Sequence, residues 1–309
     1  MSTQDQPAAR SASGDQYEIS NGGGRAVIAS LAAGLRLFER DGTALTETYP
    51  DDAIAPRAAG LTLAPWANRI RDGRWTLDGK AQQLDITEPG RGHAIHGLLR
   101  NTAYASVRQE PASVSLEASI HPQHGYPFLL RHRVSYTVTA AGALEVTQTL
   151  INDGAQPAPF VLGAHPYLRI GSVPTEQLTL TVRAAERLVV DEAKIPVGRE
   201  EVSGDYDLRA GTVTGRLDLD AGYTALTFDG GRATSTLRAP DGRSVWMWQD
   251  ESCPYLQVFV TGTFPGRAVA VALEPMSGPA NAFNSAEDIR WLAAGETRST
   301  HWGIDADLG

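Results

Sequence analysis

Almost every stretch of this 309-residue chain that could form regular structure is short, alternates apolar with polar residues, and stops at Gly, Pro or Asp. Arg25–Leu31, Gly34–Arg40, Ser113–Ile120, Arg133–Thr139 and Ala143–Ile151 read this way in the first half. Leu178–Arg183, Tyr223–Phe228, Thr234–Ala239, Ser244–Trp248, Tyr255–Thr261, Val269–Glu274 and Thr297–Ile304 follow. A period of two puts one side of a strand on a core and leaves the other to solvent. A helix needs a 3.6-residue period, and only Glu287–Ala294 and a turn over Asp191–Pro196 offer candidates. So many strands with so little helix predict an all-β fold, a single large antiparallel β-sandwich rather than a parallel βαβ sheet.

Nothing in the composition marks a linker, so residues 15–309 are expected to form one domain. Residues 1–14, rich in Ser, Gln, Ala and Gly, read as a flexible tail. The net charge of −9 argues against a nucleic-acid partner, whose phosphates need clustered Lys and Arg. No run approaches the roughly 18 apolar residues of a membrane span. One cysteine, Cys253, excludes an intrachain disulfide and a thiolate metal cluster, and fits a cytoplasmic protein. Two Gly-rich segments, 22–24 and 230–231, lack the Lys-Ser/Thr ending of a phosphate loop and read as hairpin turns.

Against this background two connections, Pro50–Asp72 and Ile86–Thr102, are unusually long and rich in Gly, Pro, Arg and His. Loops of that length in a compact domain usually build a site. The histidine pairs His93/His96 and His121/His124 have a three-residue spacing, but in Gly/Pro-rich segments with no carboxylate at a metal-binding interval, so no metal is expected.

Four polar segments stand out. They are Pro65-Trp66-Ala67-Asn68-Arg69-Ile70, Ala94-Ile95-His96-Gly97-Leu98, Gly163-Ala164-His165-Pro166-Tyr167-Leu168 and Leu273-Glu274-Pro275-Met276. Singly, each reads as packing, a loop anchor or a strand-end charge. Together, in order and with Leu256-Gln257-Val258-Phe259 and Ala282-Phe283-Asn284-Ser285, they resemble the aldose 1-epimerase (galactose mutarotase) family, a bacterial branch of it especially.

That resemblance implies a galactose mutarotase-like supersandwich, a small-molecule aldose as substrate, and no cofactor. It implies Glu274 as the general base at the anomeric hydroxyl and His165 as the general acid at the ring oxygen. Arg69 and His96 would grip the sugar, with Asn68 beside them and Tyr167 as an apolar wall. Trp248 is read as core. The family's hydroxyl-accepting Asp stands in an Asp-x-x-aromatic context, which Asp220 fits ahead of Tyr223 and the neighbouring Asp218 does not. Asn281 stands where the bacterial branch usually carries an acidic residue.

The residue types suit the chemistry independently. Opening a cyclic hemiacetal removes a proton from one oxygen and adds one to another on the same carbon, so an acid and a base must flank it. An imidazole titrating near 6.5 can do either. Competing readings are a hexose-6-phosphate epimerase using Arg57, Arg69, Arg71, Arg74, Arg91 and Arg100, and a non-catalytic carbohydrate-binding protein. A glycosidase would need Asp220 and Glu274 as carboxylates about 5–9.5 Å apart.

Overall fold

A computed structural model describes residues 11–309 and is built almost wholly from antiparallel strands. One sheet has nine strands, running in spatial order from Ala105–Glu110 through Ser113–Ile120, Leu130–Val138 and Leu144–Asn152 to the long Thr297–Asp307. It continues through Ser244–Asp250, Arg232–Arg238 and Thr179–Val182 to Thr212–Val213. The other large sheet has eight strands: Pro196–Glu201, Ala184–Val190, Asp220–Leu226, Tyr255–Thr261, Ala270–Met276, Gly163–Ala164 and Thr62–Leu63, with Tyr167–Leu168 also paired to Ala270–Met276. A separate four-stranded sheet formed by residues 16–44 packs against Ser113–Ile120 and Leu130–Val138 of the nine-stranded sheet.

The period-two reading holds where it is cleanest. Leu130–Val138 and Leu144–Asn152 bury alternate residues, and their inward Leu, Val and Tyr side chains join one large apolar cluster. Ala270–Met276 is different, because all seven of its residues are buried. Glu274 does not end this strand as the sequence suggested. Pairing runs on through Pro275 and Met276, which face Leu256 and Tyr255.

The helix expected at residues 287–294 is absent. A single helical turn occupies Ala282–Ser285 instead, and Arg290–Leu292 is a strand paired to Ala158–Phe160. Positive φ at Ala286 and Asp288 breaks any continuation of the turn. The turn expected at Asp191–Pro196 is present over residues 191–195, with Asp191 Oδ1 accepting from the backbone N–H groups of Ala193 and Ile195. Of the segment 1–14 read as a tail, residues 1–10 lie outside the described residues. Ser13 is buried, and its N–H donates to the Asp51 carbonyl. No helix among the described residues is long and apolar enough to cross a membrane.

Candidate active site

Strand register puts a polar row on one face of the eight-stranded sheet. Gln257 lies opposite Glu274 on one neighbour and opposite Gly222 on the other, and Phe259 lies opposite Asp220. Residues two apart share a face, so Asp220, Gln257, Phe259 and Glu274 all point the same way. Gly222 leaves room among them, since a Cβ there would sit 3.1 Å from Gln257 Oε1 and 2.9 Å from Leu188 Cδ1. Gln257 donates to Asp220 Oδ1 at 2.7 Å, which fixes that carboxylate.

His165 follows the short strand Gly163–Ala164, which is held on both sides by Leu63 and Met276. Its own N–H donates to the Leu61 carbonyl, and its carbonyl accepts from Gly60. The imidazole Nε2 lies 3.3 Å from Glu274 Oε1, with the two residues only 4% and 2% exposed. Tyr167 stacks under the His165 ring, 5.2 Å between centroids, and packs in turn on Phe264.

The two long loops close over this floor. Arg69 pairs with Ile95 and Ile70 with Ala94, so the loops are stitched together, and the His96 N–H donates to the Asn68 carbonyl. His96 (φ 63°) and Gly97 (φ 76°) are both left-handed, and a Cβ on Gly97 would lie 2.1 Å from the Ala64 carbonyl oxygen. Only glycine admits that approach. The turn aims His96 at His165, with ring centroids 5.4 Å apart and edge to face.

The result is a cavity of about 340 Å³ whose lining includes Asn68, Arg69, His96, His165, Asp220 and Glu274. Glu88, Arg57, Arg100 and Phe259 complete its functional outline. Every residue expected to bind or react lines it except Tyr167, which lies behind His165 with its hydroxyl on the Arg57 carbonyl. Asp220, not the exposed Asp218, faces the cavity. Trp248 belongs to the nine-stranded sheet, where Arg232 lies over its ring.

Glu88 is the residue that sequence reasoning missed. Its carboxylate takes both forks of Arg69, at 2.7 and 2.9 Å, while Arg69 Nη1 stands 3.8 Å from Asp220. Bidentate pairing of this kind fixes a guanidinium plane. Asn281 serves the same segment: its Oδ1 accepts from the Arg71 N–H, and its own N–H donates to the Arg69 carbonyl. His93 sits outside the cavity, accepting from the Asp72 N–H at Nδ1 and contacting the Ala193 carbonyl through Nε2. His124 pairs with Asp85 on the surface.

Burial pushes the Glu274 carboxyl well above the usual carboxylate range; the charge of Asp220 adds to this and Arg69 opposes it. Burial likewise holds His165 down to about 4, aided by the Arg100 charge. His96 is kept neutral chiefly by burial, then by His165, Arg100 and Arg69. Burial pulls at Arg69 too, but its hydrogen bonds to Glu88 and the Asp220 charge outweigh it and raise its pKa. The touching pair therefore rests as neutral imidazole and protonated carboxyl. That form holds as many protons as the ion pair, with the proton on the other partner. Glu274 Oε2 has no hydrogen-bond partner of its own.

A family model described as Aldose 1-epimerase matches residues 15–304. YihR, an uncharacterised protein of Escherichia coli K12, is 29% identical over 94% of this chain and 93% of its own length. The aldose 1-epimerase of Escherichia coli K12 is 28% identical over 56% of this chain and 50% of its own. The solved aldose epimerase homologue from C. elegans superposes with a TM-score of 0.83 at 21% identity, covering 95% of this chain and 98% of that one.

Proposed function

The chain belongs to the aldose 1-epimerase family, and from that premise we propose that it interconverts the α and β anomers of an aldose by proton transfer at His165 and Glu274. Membership makes it an epimerase; the assignment of the two residues is the further step. The observation that carries it is the 3.3 Å contact between two buried titratable groups, both lining the cavity.

Ring opening needs one proton taken from the anomeric hydroxyl and one given to the ring oxygen. Glu274 is the group for the hydroxyl and His165 the group for the ring oxygen. Burial disfavours charge on either partner and so favours their shared proton on the carboxyl. Sugar hydroxyls that hydrogen-bond the charged form favour moving it to His165. The anomeric proton then passes to Glu274 as His165 gives its own to the ring oxygen. The bond between C1 and the ring oxygen breaks, a carbonyl forms at C1, and the ring oxygen leaves as the C5 hydroxyl. Rotation about C1–C2 presents the other carbonyl face, and closure reverses both transfers, so no net proton is consumed. Arg69, locked by Glu88, and Asp220, locked by Gln257, are rigid donors and acceptors for ring hydroxyls. His96, neutral, offers a further hydrogen bond. Tyr167 acts from behind, fixing the plane of His165 by stacking.

Anomer exchange measured by NMR on a panel of free aldoses tests this. Catalysed exchange that is lost in both Glu274→Gln and His165→Asn is the expected result. Exchange undiminished in both variants refutes the mechanism, and sugar binding without exchange in the native protein returns the site to simple recognition.

A further inference from the structure

Among the described residues no donor or acceptor engages Nδ1 of His165, which is shut off from solvent. In an imidazole the hydrogen bond made by one nitrogen ordinarily sets the role of the other. Here no such bond orients the ring, and its plane is set by packing. His96 meets the ring edge to face, and Tyr167 is stacked on it with the two planes 26° apart. Whatever holds Tyr167 therefore holds His165.

Tyr167 is held by a charged cluster that the proton transfer does not use. One edge of its strand, Tyr167–Leu168, pairs with Ala272 and Val271. The other edge is taken by residues 45–47. Thr46 bridges Leu168, the Glu47 N–H donates to the Tyr167 carbonyl, and the Arg169 N–H donates to the Leu45 carbonyl. The Glu47 side chain is only 1% exposed, so its charge must be met inside the protein. Its Oε2 accepts from Arg169 Nη1 at 3.2 Å and from Arg267 Nε at 2.8 Å. Arg267 lies in the connection between Tyr255–Thr261 and Ala270–Met276, and its N–H donates back to the Phe264 carbonyl. Phe264 is buried, with its ring centroid 5.0 Å from that of Tyr167. One carboxylate thus clasps both the strand carrying Tyr167 and the turn carrying Phe264. The contacts run without a break from Glu47 through Arg267, Phe264 and Tyr167 to His165.

Resting on the ring-opening reading above, we propose that Glu47 is a positioning residue for His165. Its carboxylate clasps Arg169 and Arg267, seats Phe264 on Tyr167, and through that stack fixes the imidazole plane for proton transfer to the ring oxygen. Glu47 does not line the cavity and touches no substrate. Loosening the clasp lets the His165 ring turn, which moves Nε2 off the path between Glu274 and the ring oxygen. A misplacement of about 1 Å costs about 10²-fold in rate. Sugar affinity is unaffected, because Arg69 and Asp220 are held by Glu88 and Gln257 instead.

Glu47→Gln opens the clasp directly; should it fail to fold, Arg267→Gln opens it from its half-buried side. Phe264→Leu keeps an apolar side chain in the middle of the path and removes its ring. Arg131→Gln, which breaks ion pairs with Asp153 and Glu117 on the nine-stranded sheet, is the control for a lost surface charge. Exchange NMR on a free aldose gives kcat and KM, nitrogen-15 NMR of the imidazoles reads the His165 ring, and urea unfolding reads stability. In Arg267→Gln and Phe264→Leu, kcat is expected to fall roughly tenfold, short of the cost of a full 1 Å shift, with KM unchanged. The double variant should be no slower than the worse single one, because both changes act through one ring. The His165 signals should move in these variants and stay in place in Arg131→Gln, and Arg267→Lys should recover part of the lost kcat. Losses that multiply in the double variant overturn the proposal. So does a fall in stability with kcat and the His165 signals unmoved, which makes the cluster purely structural. If the native protein exchanges no aldose, the ring-opening reading falls and the ring signals alone decide. Signals that move in Arg267→Gln keep Glu47 as the holder of the imidazole, and signals that do not move overturn it.

Discussion

Because His165 and Glu274 touch and pass one proton between the same two substrate oxygens, removing either should disable the other. A positioned acid or base contributes about 10² to 10⁴ in rate, or about 3 to 5 kcal/mol at 1.36 kcal/mol per decade. Two groups acting independently would lose the product of the two factors, about 10⁴ to 10⁸ in the double variant. With the nearest atoms 3.3 Å apart and both side chains buried, independence is not expected. Without Glu274 the anomeric proton has no acceptor, so a retained His165 has nothing to complete. The double variant Glu274→Gln/His165→Asn should therefore be no slower than the worse single one, giving a coupling of about 3 to 5 kcal/mol. Two-dimensional exchange NMR on a saturating aldose reads the rates, and urea unfolding of all four proteins checks that the fold is kept. Glu274→Gln replaces a neutral carboxyl by an amide of the same shape, so it should fold. Losses that multiply across the cycle would refute the shared-proton mechanism.

The pH profile should follow from the same pair. The His165 value of about 4 lies below the ordinary histidine value of about 6.5, so a neutral ring is kept above pH 4 and is lost as pH falls through it. Glu274, raised by burial, keeps its proton above the ordinary carboxylate range. Exchange should be bell-shaped with an acid limb near 4, and a limb near 6.5 would contradict the burial argument. His132, fully buried with Nδ1 on the Tyr104 hydroxyl, is held to about 3 by burial. Its folded value is depressed, so its stabilisation is complete above about pH 6.5 and is lost as pH falls toward 3, by roughly 1.4 kcal/mol per pH unit. His132→Gln should flatten the pH dependence of urea unfolding by that slope between pH 6 and 4, and an unchanged slope would exclude His132 as an acid trigger. Gly97→Ala, forced against the Ala64 carbonyl at positive φ, should cost about 1–3 kcal/mol and raise KM by displacing His96, both measurable on one preparation.

The fold class was legible because a two-residue period survives in strands with one wet face, as in Leu130–Val138. It fades where both faces are covered. Ala270–Met276 carries no alternation at all, and its end was misjudged at Glu274. The helix misplaced to residues 287–294 failed for a local reason: Ala286 and Asp288 take left-handed backbone that no periodicity count detects. In the site, the motifs around Arg69, His96, His165 and Glu274 were readable from the family resemblance. Glu88 was not, because a carboxylate ahead of Pro-Gly reads as a solvated turn, and its partner lies 19 residues away. Gln257 did leave a signal. It is a lone amide in the buried strand Tyr255–Thr261, two residues from Phe259 and so on its face.

The division of labour between sheet and loops gives this site its logic. Asp220 and Glu274 stand on strands, and His165 directly follows one whose backbone is paired on both sides, so their geometry is set by the sheet. Arg57, Arg69, Glu88, His96 and Arg100 stand in the two long connections, residues 50–72 and 86–102, outside the strands of the eight-stranded sheet. Proton transfer needs positions held to about 0.5 Å, which rigid elements provide. Discrimination among sugars needs only a different charge or hydroxyl partner at the rim. Exchanging residues at positions 57 and 100 should therefore retune the accepted sugar while the 3.3 Å contact beneath is retained.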